Sequence, residues 1–191
     1  MDRTPTITTI NNNVLMLDDV TLHDVDIKDI AISLAHQCRF NGHVMTFYSV
    51  AEHCLLMADY FEKRGDIPKA MEALMHDCGE TFVGDVISPI KKIMPDIVAL
   101  ENRITGMLLH GLELDFLVRA EGDDYFYVQS PAVRDVDHRM SDHEKWYLRP
   151  KDGGGMYHSD LPFLRLLSPE AAASAFVHRF YRYKGELANG S

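Results

Sequence analysis

Apolar residues recur at spacings of three and four along most of this chain, a period that predicts helices. The exception comes first. Residues 7–10 (Ile-Thr-Thr-Ile) and 14–17 (Val-Leu-Met-Leu) flank Asn11-Asn12-Asn13, a turn cluster that tolerates left-handed backbone, so a short hairpin over 7–17 is expected. Asp26 can cap a helix carrying Ile27, Ile30, Ala31, Leu34 and Ala35, which Arg39-Phe40-Asn41-Gly42-His43 ends with Gly42 as terminator. Ser49 and Glu52 form a capping box that opens a second helix with Val50, Cys54, Met57, Ala58 and Phe61 on one face. Pro68 lies near the first turn of a third helix, through Ala70, Ala73 and Leu74 to His76-Asp77. Pro95 starts a fourth through Ile97, Leu100, Ile104, Met107 and Leu108, and Gly111 ends it.

Residues 112–128 bear aromatics without a period and are expected to be an irregular loop folded over the functional site. Ser130-Pro131 opens a fifth helix with Val133, Val136, Met140 and Tyr147 as its apolar stripe. Gly153-Gly154-Gly155 breaks the chain, a last helix occupies 168–183, and the tail 185–191 is expected to fray. The pattern reads as one all-α domain over 1–191, a helical bundle with a core at 20–149 and a short N-terminal β-hairpin.

Composition narrows the class. A hydrophobic fraction of 46% and a charged fraction of 25% over 191 residues suit one globular domain with a real core. Lys and Arg number 19 against 29 Asp and Glu, a net charge of −10, which argues against a generic nucleic-acid binder. An anionic ligand would need local cations to offset that field. Met1-Asp2-Arg3-Thr4 lacks a signal-peptide layout, and no apolar run approaches the roughly 18 residues of a spanning helix. A cytoplasmic protein without a membrane partner is expected. Cys38, Cys54 and Cys78 form no CxxC pair and sit in apolar helical contexts, so all three read as buried free thiols.

Against this background four residues are out of place. His53 lies three residues after Val50 and four before Met57; His76-Asp77 closes the third apolar stripe; Asp137 lies four after Val133 and three before Met140. A carboxylate on a core-facing stripe is costly unless paired or coordinated. Either each is satisfied separately, or all four converge on one cation. Two imidazoles with two carboxylates suit Zn, Mn, Fe, Co or Ni. Asp135 is a rival to Asp137 but lies off the stripe. After His76-Asp77 come Glu80, Gly84-Asp85 and Lys91-Lys92, the inventory of a phosphate-cleaving site. Glu80, one turn from His76, can orient or deprotonate water; Asp85 can protonate a leaving oxygen or position substrate. Arg39 and Lys91 are candidate phosphate partners, whereas Lys92 reads as solvated. Phe40 and the aromatics of 125–127 can stack a base or pack, and His43 closes the Arg39–His43 turn where it can touch substrate. His23, His36, His110, His138, His143, His158 and His178 read as surface or packing residues.

The segments Cys38-Arg39-Phe40-Asn41-Gly42-His43, Phe47-Tyr48-Ser49-Val50-Ala51-Glu52-His53, His76-Asp77-Cys78-Gly79-Glu80, Gly84-Asp85-Val86-Ile87-Ser88-Pro89-Ile90-Lys91 and Val136-Asp137-His138-Arg139-Met140 carry a resemblance. Over residues 20–149 the chain resembles the HD-domain metal-dependent phosphohydrolases, in particular the compact group of phage-type deoxynucleoside triphosphate hydrolases and bacterial 5′-deoxynucleotidases. The resemblance implies one divalent ion on His53, His76, Asp77 and Asp137, with Arg39 and Lys91 beside the phosphates and further Mg or Mn accompanying the substrate. It implies a small deoxynucleotide as substrate and a homo-oligomer, dimer or hexamer. The Cys38–His53 stretch is more similar to the triphosphohydrolases, some of them specific for dATP, with 5′-deoxynucleotidase as the alternative. A nucleotide-sensing protein without catalysis would be expected to have lost a ligand or Glu80, and none is lost. Phosphodiesterases of this class carry extra histidines after the HD pair, and none follows His76 until His110.

Overall fold

A computed structural model describes residues 5–16, 21–22, 26–151 and 153–189. Leu17, His23 and the first and last few residues, about which the sequence raised expectations, lie outside them. The chain is mostly helical with two small antiparallel sheets. Strands β1 (Thr6–Thr8), β2 (Val14–Met16) and β3 (Thr21–Leu22) form the first sheet, with Ile7 opposite Leu15. Leu15 is fully buried and anchors the hairpin in the core. The asparagine turn is tied down by Asp29, whose carboxylate accepts from the Thr9 hydroxyl at 2.6 Å and the Asn11 and Asn13 side-chain amides at 2.7 and 2.8 Å. Those donors are what allow Asp29 to be buried.

Asp29 lies on α1 (Ile27–His36), which Asp26 caps through the Lys28 N–H. The helix stops at His36, six residues before the expected glycine terminator. Cys38 bridges to Ser49 in extended backbone, and Arg39–Gly42 then makes a tight 3₁₀ turn with Phe40 and Asn41 at φ 58° and 54°. Gly42, at φ 76°, closes that turn rather than the helix. Cys38 is therefore only half-buried, while Cys54 and Cys78 are buried free thiols.

Helix α2 (Val50–Glu62) runs through the middle, packed against α1, α3 (Ile67–Met75), α7 (Pro131–Leu148) and α8 (Pro169–Asn189). Ser49 caps it through the Glu52 N–H at 3.1 Å, but Glu52 does not return the bond. Its buried carboxylate instead accepts the backbone N–H groups of Arg165, Leu166 and Leu167 at 2.7, 2.8 and 2.6 Å, and Asp59 two turns on accepts from Arg165 and Arg179. Half of the capping box is thus diverted to hold the 161–168 segment. Two short turns, α4 (Glu80–Val83) and α5 (Ser88–Lys91), lead to α6 (Pro95–Gly111).

Residues 112–128 are not an irregular loop over the site. They form a 3₁₀ turn and a hairpin, β4 (Val118–Glu121) with β5 (Asp124–Tyr127), that lies along α6. The approach is close enough that a Cβ on Gly106 would stand 2.4 Å from the Tyr125 carbonyl oxygen. The turn signal was there, in Glu121-Gly122-Asp123, with Gly122 at φ 65°. Helix α8 likewise runs past 183 to Asn189. Lys184 bonds the Leu112 carbonyl and Glu113, and Leu187 packs on the core, which outweighs the roughly 1 kcal/mol a mid-helix glycine costs at Gly185. The buried apolar residues of the β1–β2 hairpin and the long helices make one core cluster. No helix among the described residues is long and apolar enough to cross a membrane.

Candidate metal centre

Three helices deliver the four stripe-borne polar residues to one point. His53 comes from the second turn of α2, His76 caps the C-terminal end of α3 with Asp77 next to it, and Asp137 comes from α7. The Nε2 atoms of His53 and His76 are 3.3 Å apart. Asp137 Oδ1 lies 3.2 Å from His53 Nε2 and 3.9 Å from His76 Nε2; Asp77 Oδ2 lies 3.8 and 3.3 Å from the same atoms. Donors at the roughly 2.0–2.2 Å of Zn–N and Zn–O bonds stand about 3.0–3.6 Å apart, so His53, His76 and Asp137 are close to ligating distances, with Asp77 joining them through His76.

The hydrogen bonds on the far side of each ring favour the same use. His76 Nδ1 faces the Ala73 carbonyl at 2.8 Å and His53 Nδ1 faces Glu144 at 2.6 Å, so both Nδ1 atoms donate and both Nε2 atoms turn inward. Two Nε2 lone pairs at this separation need a positive charge between them. Burial alone would lower both histidines, yet Glu144 and Asp137 beside His53, and Asp77 and Cys54 beside His76, outweigh it and raise both. Burial would raise Asp137, but His53 and His76 hold it down at about 2. The local field favours a cation, and this donor set fits a divalent one. Asp135 is 70% exposed, pairs with Arg139 and takes no part.

Glu144 is the residue that the sequence reading missed. It is fully buried and accepts from His53 Nδ1, the Tyr48 hydroxyl at 2.8 Å and Arg39 Nε at 3.0 Å. One carboxylate thus orients both a candidate ligand and a candidate phosphate cation. The signal was available: Glu144 is four residues after Met140 and seven after Asp137, on the same stripe of α7. Replacing Glu144 with Gln keeps the volume but puts an amide donor against one of three donors. Metal affinity is expected to fall roughly 10–100-fold, the usual cost of losing an outer-shell partner. Chelator competition on folded protein measures it, and an unchanged affinity would remove Glu144 from the site.

Beside the cluster opens a cleft of about 430 Å³. Arg39, Phe40, Asp77, Glu80, Asp85, Lys91 and Asp137 all line it, as the sequence led one to expect. Lys92 and His138, taken for surface residues, are exposed but line it too. His43 is exposed and is not brought to the cleft. Phe40 is buried on its wall in left-handed backbone that a bulky residue seldom adopts, so the strain is held in place by the surroundings.

The two expected phosphate cations are engaged. Arg39 is bound to Glu144 and lies 3.6 Å from Asp77. Lys91 Nζ is held between Glu80 at 3.1 Å and Glu101 at 2.7 Å, the second buried acid that the sequence reading missed. Burial and then Asp77 push Glu80 well above the usual carboxylate range, against the pull of Lys91, and its Oε2 is buried with no hydrogen-bond partner. Asp85 Oδ2 is likewise buried and unpartnered. His143 belongs to the core: it is fully buried, its Nδ1 accepts from the His158 N–H and its ring packs on Tyr147. His36, His110 and His178 are exposed and His158 half-buried, none in the cluster.

No family model matches the chain. It is 36% identical over 102 residues to the uncharacterized protein YfdR of Escherichia coli (strain K12), covering 53% of this chain and 55% of that protein. It is 40% identical over 100 residues to an uncharacterized protein of Rhodobacter capsulatus, covering 48% and 50% respectively. The chain spans about half the length of these curated relatives, and neither name states an activity.

Proposed function

We propose that the protein is a metal-dependent phosphohydrolase of deoxynucleotides of the HD-domain type, acting as a deoxynucleoside triphosphate triphosphohydrolase with dATP favoured. The observation that carries this reading is the pair of inward-facing Nε2 atoms, 3.3 Å apart and each within 4 Å of both Asp77 and Asp137, the two carboxylates that line a cleft of acids and cations. His53, His76, Asp77 and Asp137 would hold the ion, Zn, Co, Mn, Fe or Ni by donor chemistry. Such an ion supplies hydroxide from water at neutral pH and polarises a phosphoryl oxygen.

The chain's own groups do the rest. Glu80, with one oxygen on Lys91 and the other unpaired, orients the attacking water and takes its proton. Asp85, unpaired on the cleft wall, gives a proton to the leaving oxygen or holds the substrate. Arg39 keeps its Nε on Glu144 and turns its remaining donors toward Asp77 and the cleft, where a phosphate oxygen can accept them. The resemblance of the Cys38–His53 stretch supports dATP as the favoured base and an oligomeric enzyme. A 5′-deoxynucleotidase is the second reading, favoured by the engagement of Arg39 and Lys91 with acids, which leaves little free charge at the inner end.

Product analysis separates the two. Purified protein with Co²⁺ or Mn²⁺ is expected to release deoxynucleoside and intact triphosphate from dNTPs, dATP fastest. Inorganic phosphate from dNMPs alone would replace this with the nucleotidase reading. No turnover on either panel with metal bound would overturn both.

A further inference from the structure

Arg39 and Lys91 are held by buried acids, whereas among the described residues Arg149 has no carboxylate partner and Lys145 has an exposed one. Arg149, just past the end of α7, lines the cleft and holds its guanidinium over one face of Phe40, 5.0 Å from the ring centroid. Its Nε is buried without a hydrogen-bond partner, and no ion pair joins it to a carboxylate among the described residues. Arg39 lies 5.4 Å from the centroid of the same ring, so the strained Phe40 gathers two guanidinium groups on one wall. Lys145, one helical turn before Arg149, also lines the cleft and pairs with Asp142, three residues away on an exposed helix face, a pair of a kind worth little. Lys92, which is exposed, adds a third charge to the lining. In a chain of net charge −10 this gathers three cations on one cleft, none of them held by a buried acid among the described residues.

Resting on the reading above, we propose that Arg149, Lys145 and Lys92 form a second anion subsite that takes the phosphates beyond the scissile bond, so that phosphate-chain length is read there. A single phosphoryl group at the inner end would be served by Arg39 and Lys91 and would leave the three outer cations idle. A triphosphate extends into their reach, and the cleft volume of about 430 Å³ lies within the roughly 300–1,000 Å³ of small-molecule sites. A fork-shaped guanidinium already stacked on an aromatic face loses little freedom when it grips a phosphate. Specificity for the longer chain then comes from residues outside the reacting centre.

The test uses the full chain and two ratios. Calorimetry gives the affinity for inorganic tripolyphosphate relative to orthophosphate; kinetics give kcat/KM for a dNTP relative to its dNMP. Arg149→Ala is expected to lower both ratios at least about tenfold, Lys145→Ala to lower them less, and Arg149→Lys to restore part of the loss. If the wild type hydrolyses nothing, the proposed activity fails while a fall in the binding ratio still upholds the subsite. If turnover proceeds and neither ratio moves in Arg149→Ala or Lys145→Ala, the subsite is wrong and the phosphohydrolase reading stands. Equal loss for long and short phosphates also overturns it, since that marks a general effect on the cleft.

Discussion

Replacing Asp77 by alanine is expected to strip the protein of its metal and drop turnover to background, with the fold intact. Asp77 Oδ2 stands 3.3 Å from His76 Nε2 and 3.8 Å from His53 Nε2, with an Arg39 nitrogen at 3.6 Å. Burial alone would raise its carboxyl, but His76, His53 and Arg39 outweigh that and hold it well below the usual range. It is therefore ionised whenever a metal would bind. Removing it takes one of two negative charges from the donor set and leaves two imidazoles facing each other beside a buried arginine. The loss of affinity should exceed the roughly 10–100-fold cost of losing an outer-shell partner, and His53→Ala should match it. Metal content after dialysis, measured by mass spectrometry with circular dichroism as the fold control, decides the matter. A full complement of metal in Asp77→Ala would end the ligand assignment.

Glu80→Gln is expected to lose roughly 10²–10⁴-fold in rate while keeping its metal, the range for removing a general acid–base group. Glu80 is only 3% exposed, and its second oxygen has no partner. Holding an acid there is costly to stability. Because burial and Asp77 raise its folded-state pKa above the unfolded value of about 4.3, the folded protein retains a proton that the unfolded chain has lost. Stability from this group is present at low pH and declines as pH rises through that window. In metal-free protein, Glu80→Gln should therefore gain stability relative to wild type as pH rises above the unfolded carboxyl's value, read as a Tm difference that grows from acid toward neutral pH. A residue that costs stability and is required for rate behaves as functional machinery. A variant turning over at near-normal rate would take Glu80 out of the reaction.

The helices were legible because burial of one face imposes its period on the sequence, and Asp26, Ser49 and Ser130 cap where their types suggest. The ends were less so. Gly42 and Gly185 carry the same local signal, yet one closes a separate turn and the other sits inside a helix, because packing around each outweighs propensity. The 118–127 hairpin escaped notice since its short strands lack an apolar period and owe their place to α6.

Within the site, His53, His76, Asp77 and Asp137 stood out in the sequence as charged or polar groups on apolar stripes, a local conflict that the proposed coordination would resolve. Glu144 and Glu101 look like ordinary helix acids until His53, 91 residues from Glu144, and Lys91 are brought against them. Glu52 was legible as a cap residue, but its carboxylate serves a segment more than a hundred residues on.

By itself, then, the sequence determined where the long helices run, which of their faces are apolar, and which four polar side chains lie on those faces and need partners. Those follow from period and desolvation, which act locally. Only the tertiary structure decided how the remaining charges pair: that Glu144 orients His53 and Arg39 together, that Lys91 is shared by two acids, and that Arg149 reaches the cleft without an acid of its own among the described residues. Electrostatic partnership depends on distance in space, and a linear pattern carries little of it.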